Sequence, residues 1–316
     1  VALGLILAGF SLTPVAYAAT ITVNTTSDEV SNNGNCSLRE AIRAANTDAA
    51  VDACAAGSNS AVDTIALPAG TFLLTIAGND DLGLVGDLDI TGSVTIDGLG
   101  ASATVIDGNS SDRIFDVYPS AATSFTISDV TIRNGDVRAA PLKQGGAIWL
   151  NNNVTTSISN SKIINNKAEA GGAILNNGAL TIVDSELSGN QAVIPSGIAS
   201  SGGGILSNGP LTLDSTTIAN NFVHGAGGGI AVTVASSQVV SITRSTIAGN
   251  TASSSVGTNG KGGGISTIGN TGTINITNST ISGNSADIDG GGMYFATPSS
   301  GNATLNNVTI HDNTAN

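Results

Sequence analysis

The feature that most constrains this chain is a repeat. The quartet Gly-Gly-x-Ile recurs as Gly145-Gly146-Ala147-Ile148, Gly171-Gly172-Ala173-Ile174, Gly202-Gly203-Gly204-Ile205, Gly227-Gly228-Gly229-Ile230 and Gly262-Gly263-Gly264-Ile265, with Gly290-Gly291-Gly292-Met293 as a variant. Each quartet is followed by two apolar residues five apart and usually by an Asn three further on, as in Ile158/Ile163/Asn166, Ile182/Leu187/Asn190 and Ile242/Ile247/Asn250. Subtracting successive anchors (Ile132, Ile163, Leu187, Ile218, Ile247, Ile281, Ile310) gives steps of 31, 24, 31, 29, 34 and 29. Periods in this range belong to solenoids, propellers or arrays. Four strands per blade do not fit comfortably into the shortest step, which counts against a propeller. The runs between glycines are short and β-branched, such as Thr273-Ile274-Asn275-Ile276-Thr277, with no helical periodicity. They predict an all-β chain: a parallel β-helix with inward Ile, Val and Leu in columns. Gly and Asn would sit at the bends, and the unequal steps would be loops leaving a constant coil.

A solenoid has no ordinary size ceiling, so 316 residues are read as one elongated domain rather than two. The formal net charge is −13, from 23 acidic and 10 basic residues. Residues 19–120 hold 14 acids and 3 bases, and residues 121–316 hold 9 and 7. That balance argues against a nucleic-acid partner.

Residues 1–18 form an apolar run ending Ala16-Tyr17-Ala18, which reads as an incomplete secretory signal peptide cut after Ala18. No later segment is long and apolar enough to span a bilayer. Residues 19–60 are expected to cap the solenoid and 61–316 to form it, with the chain stopping where another quartet is due. Within the cap, Ser37 and Glu40 have capping-box spacing, and Leu38, Ala41, Ile42 and Ala45 make one apolar stripe. A helix over 37–46 is predicted, lying as a lid on the first coil, whose edges and apolar end need cover. Cys36 and Cys54 are the only cysteines, and in an exported chain two cysteines favour one disulfide.

The run Cys36-Ser37-Leu38-Arg39-Glu40-Ala41-Ile42-Arg43-Ala44-Ala45-Asn46 resembles the N-terminal motif of bacterial CSLREA-domain proteins, where it precedes a right-handed parallel β-helix. Ile65-Ala66-Leu67-Pro68-Ala69-Gly70-Thr71-Phe72 and Gly86-Asp87-Leu88-Asp89-Ile90 are similar to that group as well. The repeats resemble those of chlamydial polymorphic outer-membrane proteins, which carry Phe where this chain has Ile or Leu. The likeness spans residues 20–316. It implies secreted or bacterial surface placement more firmly than any activity.

Pectin-cleaving enzymes use this fold and need several Asp side by side on neighbouring coils, with Arg, Lys or calcium. Aligning the coils at one bend gives Asp129, Asn160, Asp184, Ser215, Arg244, Asn278 and Asn307, where the acids are not adjacent. Two residues on, Lys162 falls beside Glu186, a pairing expected of a surface ion pair. No catalytic residues are assigned on this basis. The expected function is a structural or adhesive scaffold for surface glycans or proteins, with a polysaccharide lyase or hydrolase as the alternative. The densest carboxylates, Asp80, Asp81, Asp87 and Asp89, are the candidate Ca²⁺ ligands, against a solvated acidic loop. Strand alternation turns the residue after each quartet outward, so Trp149, Leu175 and Leu206 are expected to form one exposed apolar strip and a contact face.

Overall fold

A computed structural model describes residues 17–138, 143–194, 200–233, 238–254, 259–269, 272–296 and 301–316. Most of the apolar leader therefore lies outside the described residues. The chain winds into a right-handed parallel β-helix. Each full coil meets four sheets in turn, as in Val154–Ser159, Lys162–Ile164, Lys167–Ala168 and Ile174–Asn176. We call these the first to fourth sheets; they hold ten, nine, seven and eight strands. Every strand pair in them is parallel and in register, so like positions of successive coils stack.

That register turns the repeat into a core. Ile65, Ile96, Ile127, Ile158, Ile182, Leu213, Ile242 and Ile276 form one buried column, and Ile106, Ile132, Ile163, Leu187, Ile218, Ile247 and Ile281 another. The quartet isoleucines close the third side through Phe115, Ile148, Ile174, Ile205, Ile230 and Ile265. One hydrophobic cluster runs from the helix to Ile281.

The two glycines of a quartet have different reasons. Gly171 has φ +59°, a left-handed conformation that a side chain resists. A Cβ on Gly172 would lie 2.1 Å from the Gly203 carbonyl oxygen of the next coil, so the backbones approach too closely for any side chain.

The Asn of each repeat makes a buried ladder at the bend between the second and third sheets. The Asn190 amide nitrogen donates to the Asn221 Oδ1 at 2.9 Å and to the Ile163 carbonyl of the preceding coil at 2.9 Å. Asn166, Asn190, Asn221, Asn250, Asn284 and Asn313 continue the pattern, each handing a bond to the next. A buried amide is stabilising only when its donors and acceptor are met, and stacking identical residues meets them at every step. At the other two-residue bend, Asp129, Asn160, Asp184, Ser215, Arg244, Asn278 and Asn307 all have φ between 48° and 59°. Asn and Asp tolerate that region, which explains a column that sequence alignment presents as a row of polar groups.

The single helix among the described residues is Leu38–Thr47. Ser37 is its N-cap, and the Ser37/Glu40 capping box forms in both directions. Its stripe of Leu38, Ala41, Ile42 and Ala45 is buried, and the helix packs against Thr20–Thr22, Asp63–Ala66 and Leu88–Ile90, the start of the solenoid. It is a lid, as the stripe predicts. It runs one residue past Asn46, to Thr47, and is capped by Asp48 in the left-handed region. Asn46 instead fastens the lid sideways, donating to the Asp89 carbonyl at 2.7 Å and accepting from the Thr91 amide at 3.0 Å. Cys36 and Cys54 are disulfide-bonded, stapling the residue before the N-cap to the loop behind the helix. No helix among the described residues is long and apolar enough to cross a membrane.

Candidate functional site

The outward column of the fourth sheet gathers the chemistry. Trp149, Leu175 and Leu206 are register partners on three successive coils, as strand alternation requires. They do not form an open apolar strip. Leu175 is only 3% exposed, and Trp149 and Leu206 are half-buried. In-register neighbours lie about 4.8 Å away on each side, so a leucine between an indole and a second leucine keeps little free surface.

Followed toward the N-terminus, the same column continues through Asp116, the partner of Trp149, to Asp89, the partner of Asp116. Two carboxylates thus stand side by side on adjacent coils. Arg113 lies among them: its guanidinium donates to Asp116 Oδ2 at 2.8 Å and to Asp87 Oδ2 at 3.1 Å. Its guanidinium carbon also sits 5.3 Å from the centre of the Trp149 ring. Tyr118, 58% exposed, stacks on Trp149 at 5.9 Å and 25°. The result is an aromatic pair and an Arg–Asp cluster sharing one edge of the rod.

The electrostatics of the cluster are strained. Burial pushes the Asp87 carboxyl up to about 8 despite the pull of Arg113, with Asp112, Asp116 and Asp89 adding to the rise. Burial likewise takes Asp89 to about 7 and Asp116 to about 6. Asp116 Oδ1 is buried and has no hydrogen-bond partner among the described residues. One guanidinium cannot neutralise this many desolvated carboxylates, so Asp87 and Asp89 are held toward the protonated form near neutral pH.

A pH dependence follows. A carboxyl whose folded pKa is raised holds a proton that the unfolded chain has already released, so stability falls as pH rises between the two values. For Asp87 that window runs from about 3.8 to about 8. Asp107 and Asp136 are lowered and act oppositely, but only in acid below the ordinary carboxylate range. The melting temperature is therefore expected to rise as pH falls from 8 to 5, with a stability difference on the order of a few kcal/mol. Asp87→Asn should flatten the profile. Equal melting at pH 5 and pH 8 in the parent would contradict the buried cluster.

The four proposed calcium ligands do not converge. Asp80 accepts from the amides of Leu82 and Leu84 within its own loop, Asp89 accepts from Gly83 at 2.7 Å, and Asp87 is taken by Arg113. No group of three or more metal-binding side chains forms among the described residues. The positive charge that this acidic stretch needs comes from an arginine one coil on. Lys162 and Glu186 form the expected exposed ion pair, 3.1 Å apart.

Asp116 and Arg113 escaped sequence reading because the first coils lack the Gly-Gly-x-Ile quartet, so the outward column seemed to begin at Trp149. The signal was present as two apolar-Asp-apolar triplets, Leu88-Asp89-Ile90 and Phe115-Asp116-Val117.

At its C-terminal end the column reaches Ser266 and Tyr294. They line a shallow cavity of about 240 Å³ with Lys261, Asn259 and Thr267. Lys261 Nζ lies 3.2 Å from Asp289, 3.2 Å from the Tyr294 hydroxyl and 4.7 Å from the centre of its ring. Ser266 Oγ is buried without a partner among the described residues.

No family model and no curated protein sequence matches the chain. Among solved structures it is similar to pectate lyase Pel9A, at 14% identity and a TM-score of 0.43, over 94% of this chain and 78% of that one. It is also similar to the A-module of the Azotobacter vinelandii mannuronan C-5 epimerase AlgE6, at 14% identity and 0.32, over 79% of this chain and 91% of the module. A third is ORF18 of Geobacillus virus E2, at 14% and 0.30, over 80% of this chain and 53% of that one.

Proposed function

We propose that this protein is an exported β-helix whose fourth-sheet face binds a polysaccharide chain, as an adhesive scaffold. The observation that carries it is the Tyr118–Trp149 stack, with one ring exposed and Arg113 against the other. An aromatic face beside hydrogen-bonding groups on a rigid support suits the alternating apolar and hydroxylated surfaces of sugar rings. The Lys261–Tyr294–Ser266 cavity on the same face offers a second contact of similar chemistry. The resemblance of residues 36–46 to CSLREA-domain proteins supports placement outside the cell.

The test is retention in polysaccharide gels. Tyr118→Ala should weaken binding about tenfold, the effect of losing roughly 1.4 kcal/mol at an interface anchor, with melting unchanged. A folded variant that binds every glycan as the parent does would refute the reading.

A second reading is favoured by the Asp89–Asp116–Arg113 arrangement. Carboxyls near pH 6–7 are poised for proton transfer at neutral pH. Under it, the protein would release unsaturated or reducing ends from pectin or alginate. Asp116→Asn would stop that release and leave Tyr118-dependent binding intact.

A further inference from the structure

We propose that the peptide bond between Ala18 and Ala19 is a processing site, and that the ammonium it releases on Ala19 docks as the counter-ion of Asp63. The inference rests on the export half of the reading above and not on glycan binding.

Asp63 is 1% exposed. Its carboxylate accepts the Ser58 amide on both oxygens at 3.0 Å, and its Oδ1 accepts the Ala19 amide at 3.1 Å. Among the described residues no Lys, Arg or His forms an ion pair with it. A buried carboxylate with only neutral donors is an expensive group to keep, and removing it from water is offset best by a cation. The Ala19 nitrogen is already placed to become that cation. Ala19 is fixed from both sides, its carbonyl accepting the Thr64 amide at 2.9 Å while its nitrogen faces Asp63. Regular pairing begins at the next residue, where Thr20–Thr22 runs beside Asp63–Ala66. Ala18 and Tyr17 are exposed. Cutting before Ala19 therefore removes no buried side chain among the described residues, and the small residues Ala16 and Ala18 match the pattern that a signal peptidase reads.

The chemistry balances as a hydrolysis. The Ala18–Ala19 amide bond breaks, the oxygen of water joins the Ala18 carbonyl carbon, and the Ala19 nitrogen leaves as an amine. That amine is protonated at neutral pH, with an ordinary pKa of about 7.7–8.0, and a neighbouring carboxylate favours the charged form. A neutral amide donor becomes a charged one at the same atom, which shortens and strengthens the bond to Asp63. Removal of the leader would thereby tighten the lid end of the rod.

The experiment compares two chains, one beginning at Ala19 with a free amine and one retaining Tyr17 and Ala18. At pH 6–7 the Ala19 chain is expected to melt several degrees higher. Because the amine's folded pKa is raised, this gain is present below its unfolded value and is lost as pH rises through the folded value. The gap should close in strong base and vanish in Asp63→Asn. Equal melting at pH 6–7, or a gap that persists unchanged in Asp63→Asn, overturns the proposal. If Asp63→Asn does not fold, the pH profile of the parent pair decides alone, since a gap flat from pH 6 to 10 excludes an ammonium. N-terminal sequencing of the exported protein should read Ala-Thr-Ile-Thr. A different start would overturn the processing step, with glycan retention judged separately.

Discussion

Arg39→Met is expected to cost about 3–5 kcal/mol of unfolding free energy, the range for removing one partner of a buried ion pair. Arg39 is 1% exposed, among the largest fully buried side chains. Its Nε donates to Asp28 Oδ1 at 2.7 Å, and its terminal nitrogens reach the Asp87 carbonyl at 3.0 Å and the Gly86 carbonyl at 2.8 Å. Asp28 in turn accepts the amides of Thr75 and Ile76 at 2.7 and 2.9 Å. One guanidinium thus joins the stretch after the first strand, the helix and the loop entering the fourth sheet. Methionine keeps much of the volume and leaves a carboxylate and two carbonyls short of a donor. Urea unfolding checks the value. The double variant with Asp28→Asn should lose less than the sum of the singles, because the two changes delete one interaction. A change of under about 0.5 kcal/mol in Arg39→Met would show that the network does not hold the cap.

Ile42→Asp should be of similar size, several kcal/mol, by placing an unpaired charge under the lid. Ile42 is buried and belongs to the cluster that continues into the solenoid. Arg43, the next residue, is half-buried on the helix flank. Arg43→Ala serves as the control and should stay within about 0.5 kcal/mol. If Ile42→Asp melts with the parent, the helix does not cover the end of the core.

The two substitutions mark where sequence reading succeeds and where it stops. Ile42 was legible because helical periodicity is local: four apolar residues at fixed spacing can face only one way. Arg39 was not, because its role depends on Asp28, Gly86 and Asp87, brought together by coils whose lengths nothing local sets. The same division holds at the candidate site. Trp149 was placed in its column by counting from Ile148, yet the burial of Leu175 depends on neighbours on other coils. Asp80, Asp81, Asp87 and Asp89 looked like one ligand set because they are close in sequence, whereas an Arg one coil away claims Asp87. The disulfide was legible because two cysteines leave one pairing.

The four bends of a coil do not share length equally. From Ser159 to Lys162 and from Val183 to Glu186 the passage between the first two sheets takes two residues, and from Ile164 to Lys167 and Leu187–Ser188 to Gln191 the next passage does the same. From Thr123 onward the variation in period lies in the other two, where Ala168 to Ile174 is short and Ala192 to Ile205 is long. From there on the rod has two fixed seams and two elastic ones. A foreign peptide grafted into an elastic seam would be carried on the surface with every column left in place. One residue added beside Asn166 would turn Lys167–Ala168 inside out before the next elastic seam could absorb it.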